Sequence, residues 1–115
     1  MIRTMRPLQF APLALAALLG AGPGRAADDE ALRYVRFVEE QAGDCVNRNG
    51  VQILVKNEHP TRRLRVWLDR YQAGVGTGDR SRSDLAPGAP PEPLGCSRNL
   101  AGAQEWRLAR AVFLD

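Results

Sequence analysis

The clearest pattern in the chain is an alternation of apolar and polar residues over residues 62–71. Leu64, Val66 and Leu68 occupy every second position of this segment. Because successive side chains of a strand point to opposite faces, the alternation predicts a β-strand with one buried face. The opposite face would carry Arg63, Arg65, Trp67, Asp69 and Tyr71.

A second strand is predicted directly before the first. In residues 51–57, Val51, Ile53 and Val55 alternate with polar residues, and residues 57–60, which end in a proline, interrupt the run. Two alternating segments separated by a short turn predict a β-hairpin.

The following segments predict shorter elements. Residues 72–80 contain three glycines and predict a flexible connection, residues 80–85 predict a short polar strand, and residues 86–89 form a good turn sequence. Three prolines in residues 90–93 predict a stiff, extended connection at a sheet edge, because proline cannot donate a ladder hydrogen bond.

Two further segments, residues 28–42 and residues 105–114, allow more than one interpretation. Residues 28–42 place apolar side chains at helical spacing, but the β-branched and aromatic residues in 34–38 favour a strand, and both remain open. In residues 105–114, a strand is favoured over a short helix. Such a strand would carry Trp106, Leu108, Val112 and Leu114 on one face, interrupted by Arg110.

Short strands and turns at this spacing predict a mostly β fold. We expect a small, single-domain antiparallel β-sandwich with an immunoglobulin-like outline, one disulfide and, as an option, a short N-terminal helix. The outline resembles small exported, single-disulfide β-sandwich proteins of bacteria. A resemblance of architecture implies no activity.

The first 26 residues have the composition of a secretory signal peptide. Arg3 and Arg6 precede an apolar stretch at residues 8–22, and small residues, Gly24 and Ala26, occupy the −3 and −1 positions of a cleavage site. The stretch is shorter than the roughly 20 residues that span a membrane. The sequence therefore predicts cleavage after residue 26 and a single exported domain at 27–115, periplasmic or secreted, without a membrane span.

The basic charge of the chain belongs to this leader. The formal net charge is +3, and Arg3, Arg6 and Arg25 all lie within residues 1–26, which contain no acid. Cleavage would bring the net charge to zero. Since nucleic-acid binding needs a surplus of Lys and Arg, we expect no nucleic-acid partner.

The chain contains two cysteines, Cys45 and Cys96. An even pair in an exported protein predicts a structural disulfide. A domain of this size buries a modest apolar core, so we expect this bond to contribute strongly to its stability.

Few side chains suit catalysis or metal binding. His59 is the only histidine, and both methionines belong to the predicted leader, so the sequence predicts no metal site and no cofactor. No serine lies in a nucleophile motif, which predicts a protein that is not an enzyme. The competing hypothesis, a small hydrolase, would need an acid–base pair such as Asp69 with Glu58 or His59.

The remaining candidate is a binding surface. The side of the predicted strand with Trp67 and Tyr71 combines the residue types that dominate protein interfaces, and Arg80 and Arg82 are spaced to face the same way on a neighbouring strand. We expect a non-enzymatic binding or accessory protein whose partner is a protein or an anionic or carbohydrate surface. Two alternatives remain: the acidic N-terminal segment covers this face, or a larger envelope complex buries it permanently around a structural subunit.

Overall fold

A computed structural model describes residues 23–114 of the chain. Most of the predicted leader therefore lies outside the described residues, and the predicted cleavage position lies inside the first helix. The elements in order are α1 (Pro23–Leu32), β1 (Val35–Glu40), α2 (Gly43–Val46), β2 (Gln52–Asn57), β3 (Leu64–Gln72), β4 (Val75–Leu85), β5 (Glu92–Cys96), β6 (Arg98–Asn99) and β7 (Gly102–Phe113).

The strands form two antiparallel sheets. Sheet A has the order β1-β2-β5, and sheet B has the order β4-β3-β7-β6. Gln104 of β7 donates a hydrogen bond to the carbonyl of Cys96, where β5 ends, while Ser83 of β4 bonds Glu92, where β5 begins. Strand β5 thus extends across sheet B from β4 to β7. The predicted mostly β, small antiparallel sandwich is confirmed.

The core lies between the sheets. Leu64, Val66 and Leu68 of β3 are fully buried with Val55 of β2, as the alternation in β3 predicted. Ala31 of α1 joins the same cluster, because α1 packs against β7. Burying these side chains supplies the main favourable free energy for a domain of this size.

The predicted hairpin of β2 and β3 is wrong. The two strands belong to different sheets, and residues 58–63 carry the chain from one sheet to the other. The side-chain amide of Asn57 donates to the carbonyls of Arg62 at 2.8 Å and Leu85 at 3.0 Å, which ties the end of β2 to this connection and to the end of β4. The crossing lets the apolar sides of β2 and β3 face each other across the core.

The predicted flexible connection at residues 72–80 is also wrong. Ala73 and Gly74 have φ angles of 50° and 80°, and Gln72 pairs with Val75. Two consecutive left-handed residues match the twist of the flanking strands and form a tight hairpin turn. Strand β4 therefore begins at Val75 and includes the glycines at 76 and 78.

Both interpretations of residues 28–42 apply, each to part of the segment. The helix ends at Leu32, and the β-branched and aromatic residues after it form β1, where Val38 pairs with Leu54. Within residues 23–114, the structure contains no helix long and apolar enough to cross a membrane.

Strand β7 confirms the favoured interpretation of the C-terminal segment but not the predicted face. Leu108 pairs with Leu68 and Arg110 with Trp67, so Ala109 is an extra residue. Such a bulge exchanges the two faces of a strand. Ala111 consequently lies in the core, and Val112, predicted to share a face with Trp106 and Leu108, lies opposite Arg65 on the other side.

The predicted disulfide is confirmed. Cys45 of α2 is bonded to Cys96 at the end of β5, with 5.2 Å between the Cα atoms and a sequence separation of 51 residues. Cys45 is buried. The bond joins α2 to sheet A across a long stretch of chain.

Candidate functional site

The polar side of sheet B brings charged and aromatic side chains of three strands together. Residues directly opposite each other in an antiparallel pair share a face. The register pairs Arg65, Trp67 and Asp69 of β3 with Asp84, Arg82 and Arg80 of β4. We call this surface the arginine face: Arg65, Trp67, Asp69, Tyr71, Arg80, Arg82, Asp84, Glu105, Arg107 and Arg110.

Two arginines of β7 complete the arginine face over its aromatic side chains. The guanidinium carbon of Arg107 lies 3.8 Å from the centre of the Tyr71 ring, and that of Arg110 lies 5.1 Å from the Trp67 ring. Both distances suit cation–π attraction. The sequence prediction missed both residues, although the apolar positions of β7 change parity between Leu108 and Ala111, which is a sign of a bulge.

Cross-strand ion pairs order four of these side chains. Arg65 donates to both carboxylate oxygens of Asp84 at 2.7 and 2.9 Å, and Arg80 donates to both oxygens of Asp69 at 2.6 and 2.8 Å. These hydrogen bonds lower the pKa of both carboxyls and raise the pKa of both guanidinium groups. Exposed pairs add little stability. They do fix where the arginines point.

Arg82 differs from its neighbours. It is exposed and opposite Trp67, and its side chain forms no hydrogen bond or ion pair with any residue of the described part of the chain. On the other side of Trp67, Arg110 reaches Asp28 of α1 at 3.4 Å. The half-buried indole therefore lies between two arginines, one of which has no acidic partner among residues 23–114.

The structure brings six of the seven predicted binding residues together and leaves Arg63 at the margin. Arg63 precedes β3, is exposed, and uses its carbonyl to accept a hydrogen bond from the Leu114 N–H. Its positive charge contributes to the lowered pKa of Asp84. Arg63 therefore extends the positive potential of the face without sharing its register.

The acidic N-terminal segment contacts only one corner of the arginine face. Asp28 is the only acid outside sheet B that pairs with an arginine of this face among residues 23–114, at 3.4 Å from Arg110. The other carboxylates bound to the face belong to β3, β4 and β7 themselves. Within the described chain, the surface of sheet B around Arg82 thus remains open.

The side chains considered for an acid–base pair each have other partners. Asp69 binds Arg80, and Glu58 binds Arg36 at 2.7 Å and Lys56 at 3.4 Å. His59 Nδ1 accepts the backbone N–H groups that follow it in the turn, at 3.1 and 2.9 Å. Residues 23–114 also contain no group of three or more His, Cys, Asp or Glu side chains that could hold a metal ion.

Comparisons of the chain with protein-family models, with curated proteins and with solved structures gave no match.

We expect the paired carboxyls to make the stability of the fold sensitive to acid. The pKa values of Asp69 and Asp84 are lower in the folded chain than the ordinary 3.8, first because their arginines donate hydrogen bonds to the ionised form. This stabilisation is present above the unfolded pKa and is lost as the pH falls through the lower, folded pKa. Urea unfolding at a series of pH values between about pH 6 and pH 2 should show that the free energy of unfolding falls below about pH 4.

A variant with both Asp69→Asn and Asp84→Asn should show a shallower fall over the same pH range. Asp29→Asn is the matched control, because Asp29 is exposed on α1 and has no partner in the described chain. A pH dependence as steep in the double variant as in the control would contradict the assignment of these two groups.

Proposed function

We propose that this chain is an exported, non-enzymatic binding protein that recognises an acidic surface of a partner protein through the arginine face. The observation that carries the proposal is the position of Trp67. Its indole lies half-buried on an open sheet face, between Arg110 and Arg82, whose side chain has no acidic partner among residues 23–114.

The residue types of the face support a protein as the partner. Tryptophan, tyrosine and arginine supply most of the binding free energy in protein interfaces, typically near the centre of the contact. Here Trp67 and Tyr71 lie on β3, the strand between β4 and β7, and the arginines of those two strands lie on both sides. Their aliphatic stems and guanidinium planes offer both apolar contact and charged hydrogen bonds.

The charge of the face supports an acidic partner. Among the residues that define it, arginines outnumber acids, and the ion pairs already present hold all three of those acids beside arginines of the same face. The surplus positive charge therefore lies around Trp67. A carboxylate of a partner that contacts Arg82 would form a charge-assisted hydrogen bond without displacing an existing pair.

The proposed compartment is the periplasm or the exterior of the cell. The predicted leader at residues 1–26 supports export, and the disulfide between Cys45 and Cys96 is compatible with an oxidising environment. If the partner is a permanent component of the envelope, the chain would act as a structural subunit, bound through the same face.

Site-specific photo-crosslinking tests the proposal. A photoreactive amino acid at position 82, on the exported protein in its own cells, should form a covalent adduct with a partner protein. The same amino acid at position 48 is the matched control, because Arg48 is also an exposed arginine whose side chain has no partner in the described part of the chain, but it lies after α2. Intact mass of the recovered protein reports whether residues 1–26 have been removed.

The purified partner then allows affinities to be compared. We expect Trp67→Ala and Arg82→Ala each to raise the dissociation constant about tenfold or more, and Arg48→Ala to leave it unchanged. Circular dichroism should show that the Arg82 variant is folded. Equal crosslinking from both positions, adducts with polysaccharide only, or unchanged affinity of both face variants would refute the proposal.

A further inference from the structure

A cleft opens on the other side of sheet B, where β4 approaches β5. It has a volume of about 510 Å³, which lies within the usual range for small-molecule sites. The cleft exists because β4 is polar on its core side: Ser81 and Ser83 lie opposite Leu68 and Val66, both of which are buried. Serine side chains cannot fill the space that an apolar strand would occupy.

The apolar wall of this cleft contains a fixed tryptophan. Trp106 and Leu94 pack against the buried core and also line the cleft. Gly95 has a φ of +155°, and a Cβ at this position would lie 2.8 Å from Trp106 Cη2. The indole is thus held directly against the backbone of β5, with part of its surface left exposed to the cleft.

The polar wall offers hydrogen-bond acceptors that are not fully used. Glu92 accepts the Ser83 hydroxyl at Oε2, and Asp79 accepts both bonds from Arg70 at Oδ2. The second oxygen of each carboxylate has no partner within residues 23–114. The Ser81 hydroxyl, which also lines the cleft, has none there either.

Both arginines beside the cleft are already bound to acids, whereas one of its own acids has no basic partner. Asp79 and Glu92 line the cleft with Arg70 and Arg80, although the Arg80 side chain belongs to the arginine face on the other side of sheet B. The Arg70 guanidinium is shared between Asp79 and the Gln104 side chain, and Arg80 is bound to Asp69. Within residues 23–114, Glu92 has no basic partner and both arginines are bound to acids, so the cleft disfavours an anionic ligand.

We propose that this cleft binds a neutral saccharide. A sugar ring has a C–H face that can contact the electron-rich surface of Trp106. Its hydroxyl groups can donate to the unused oxygens of Asp79 and Glu92 and bond with Ser81. This site lies on the opposite side of sheet B from the arginine face, so it is a function in addition to partner binding.

Tryptophan fluorescence can report this binding from one residue. The chain has two tryptophans, both in the folded domain, so Trp67→Phe leaves Trp106 as the only emitter. Titration of this variant with glucose, galactose, mannose, N-acetylglucosamine and their disaccharides should give a saturable change with at least one of them. The Trp106→Phe variant, which retains Trp67, should show no change with the same sugar.

Substitution of the polar wall tests the assigned contacts. Glu92→Gln keeps an oxygen that can accept the Ser83 hydroxyl but removes the charge that strengthens a sugar hydrogen bond, so we expect the dissociation constant to rise about tenfold. Glu39→Gln is the matched control, because Glu39 is an exposed carboxylate on β1, and β2 separates β1 from β5 in sheet A. Its dissociation constant should match that of the parent.

Three outcomes would overturn the proposal. The first is no saturable change with any neutral sugar up to about 50 mM, a concentration at which a site with a millimolar dissociation constant is occupied. The second is a response from Trp67 instead of Trp106, which would move the site to the arginine face. The third is binding only of charged sugars, tested with glucuronate and glucosamine, which would show that the charge of the ligand, and not its hydroxyl groups and C–H face, determines binding. None of these outcomes bears on partner crosslinking from position 82.

Discussion

Replacing Asn57 by alanine should lower the free energy of unfolding by about 3 kcal/mol, since three hydrogen bonds contribute about 1 kcal/mol each. Asn57 is 5% exposed. Its amide donates to the carbonyls of Arg62 and Leu85, and its Oδ1 accepts the His59 N–H at 2.7 Å. Without the side chain, these backbone groups lose their partner in a largely buried place.

Urea unfolding of the purified protein measures this effect. Asn57→Asp is an informative second variant, because it retains an acceptor for the His59 N–H but removes both donors and adds a charge. We expect it to be at least as unstable as Asn57→Ala at neutral pH. Asn47→Ala serves as the control, since Asn47 is exposed and its side chain forms no hydrogen bond in the described residues. A loss below about 1 kcal/mol for Asn57→Ala would show that the connection is held by other contacts.

Removal of the disulfide should have the largest effect of all. The chain-entropy relation gives up to about 4 kcal/mol for a bond that closes a loop of this length. The bond joins Cys45 and Cys96, which are separated by 51 residues. Because domains of this size have a total stability of roughly 5–15 kcal/mol, much of the margin would be lost.

The measurement compares the urea midpoint of the oxidised protein with that of a Cys45→Ser, Cys96→Ser double variant. Adding a reducing agent should lower the midpoint of the parent protein and leave that of the double variant unchanged. If the midpoints of the two proteins agree without reductant, the bond does not stabilise the fold. Intact mass under non-reducing conditions verifies that the parent is oxidised.

The alternation of residues predicted the strands more reliably than their partners. Leu64, Val66 and Leu68 identified the buried side of β3 because burial on a strand repeats every second residue. The same pattern could not show that β2 and β3 belong to different sheets. The pairing of strands depends on contacts between residues that are distant in sequence. The hydrogen bond from the Asn57 side chain to the Leu85 carbonyl is one such contact.

Only part of the arginine face could be predicted, for the same reason. Trp67, Asp69 and Arg65 were placed on one face by the local pattern of β3. The local pattern of the last strand predicted that Arg110 interrupts an apolar face. That prediction did not include the extra residue in β7, which changes the face on which Arg110 lies. The bulge turns Arg110 toward Trp67, and only the pairing with β3 reveals this.

The sequence by itself determined the local and pairwise features of this protein: the strand character of most segments, the buried side of β3 and the bond between its two cysteines. Strand character and the buried side follow from the two-residue periodicity of a strand, which is local in sequence. The disulfide follows from the count of thiols, because two cysteines allow one pairing within the chain. The tertiary structure alone decided which strands share a sheet, which arginines surround Trp67 and where β4 leaves a cleft beside β5. Those outcomes depend on the register between strands, since a shift of one residue exchanges the buried and exposed faces.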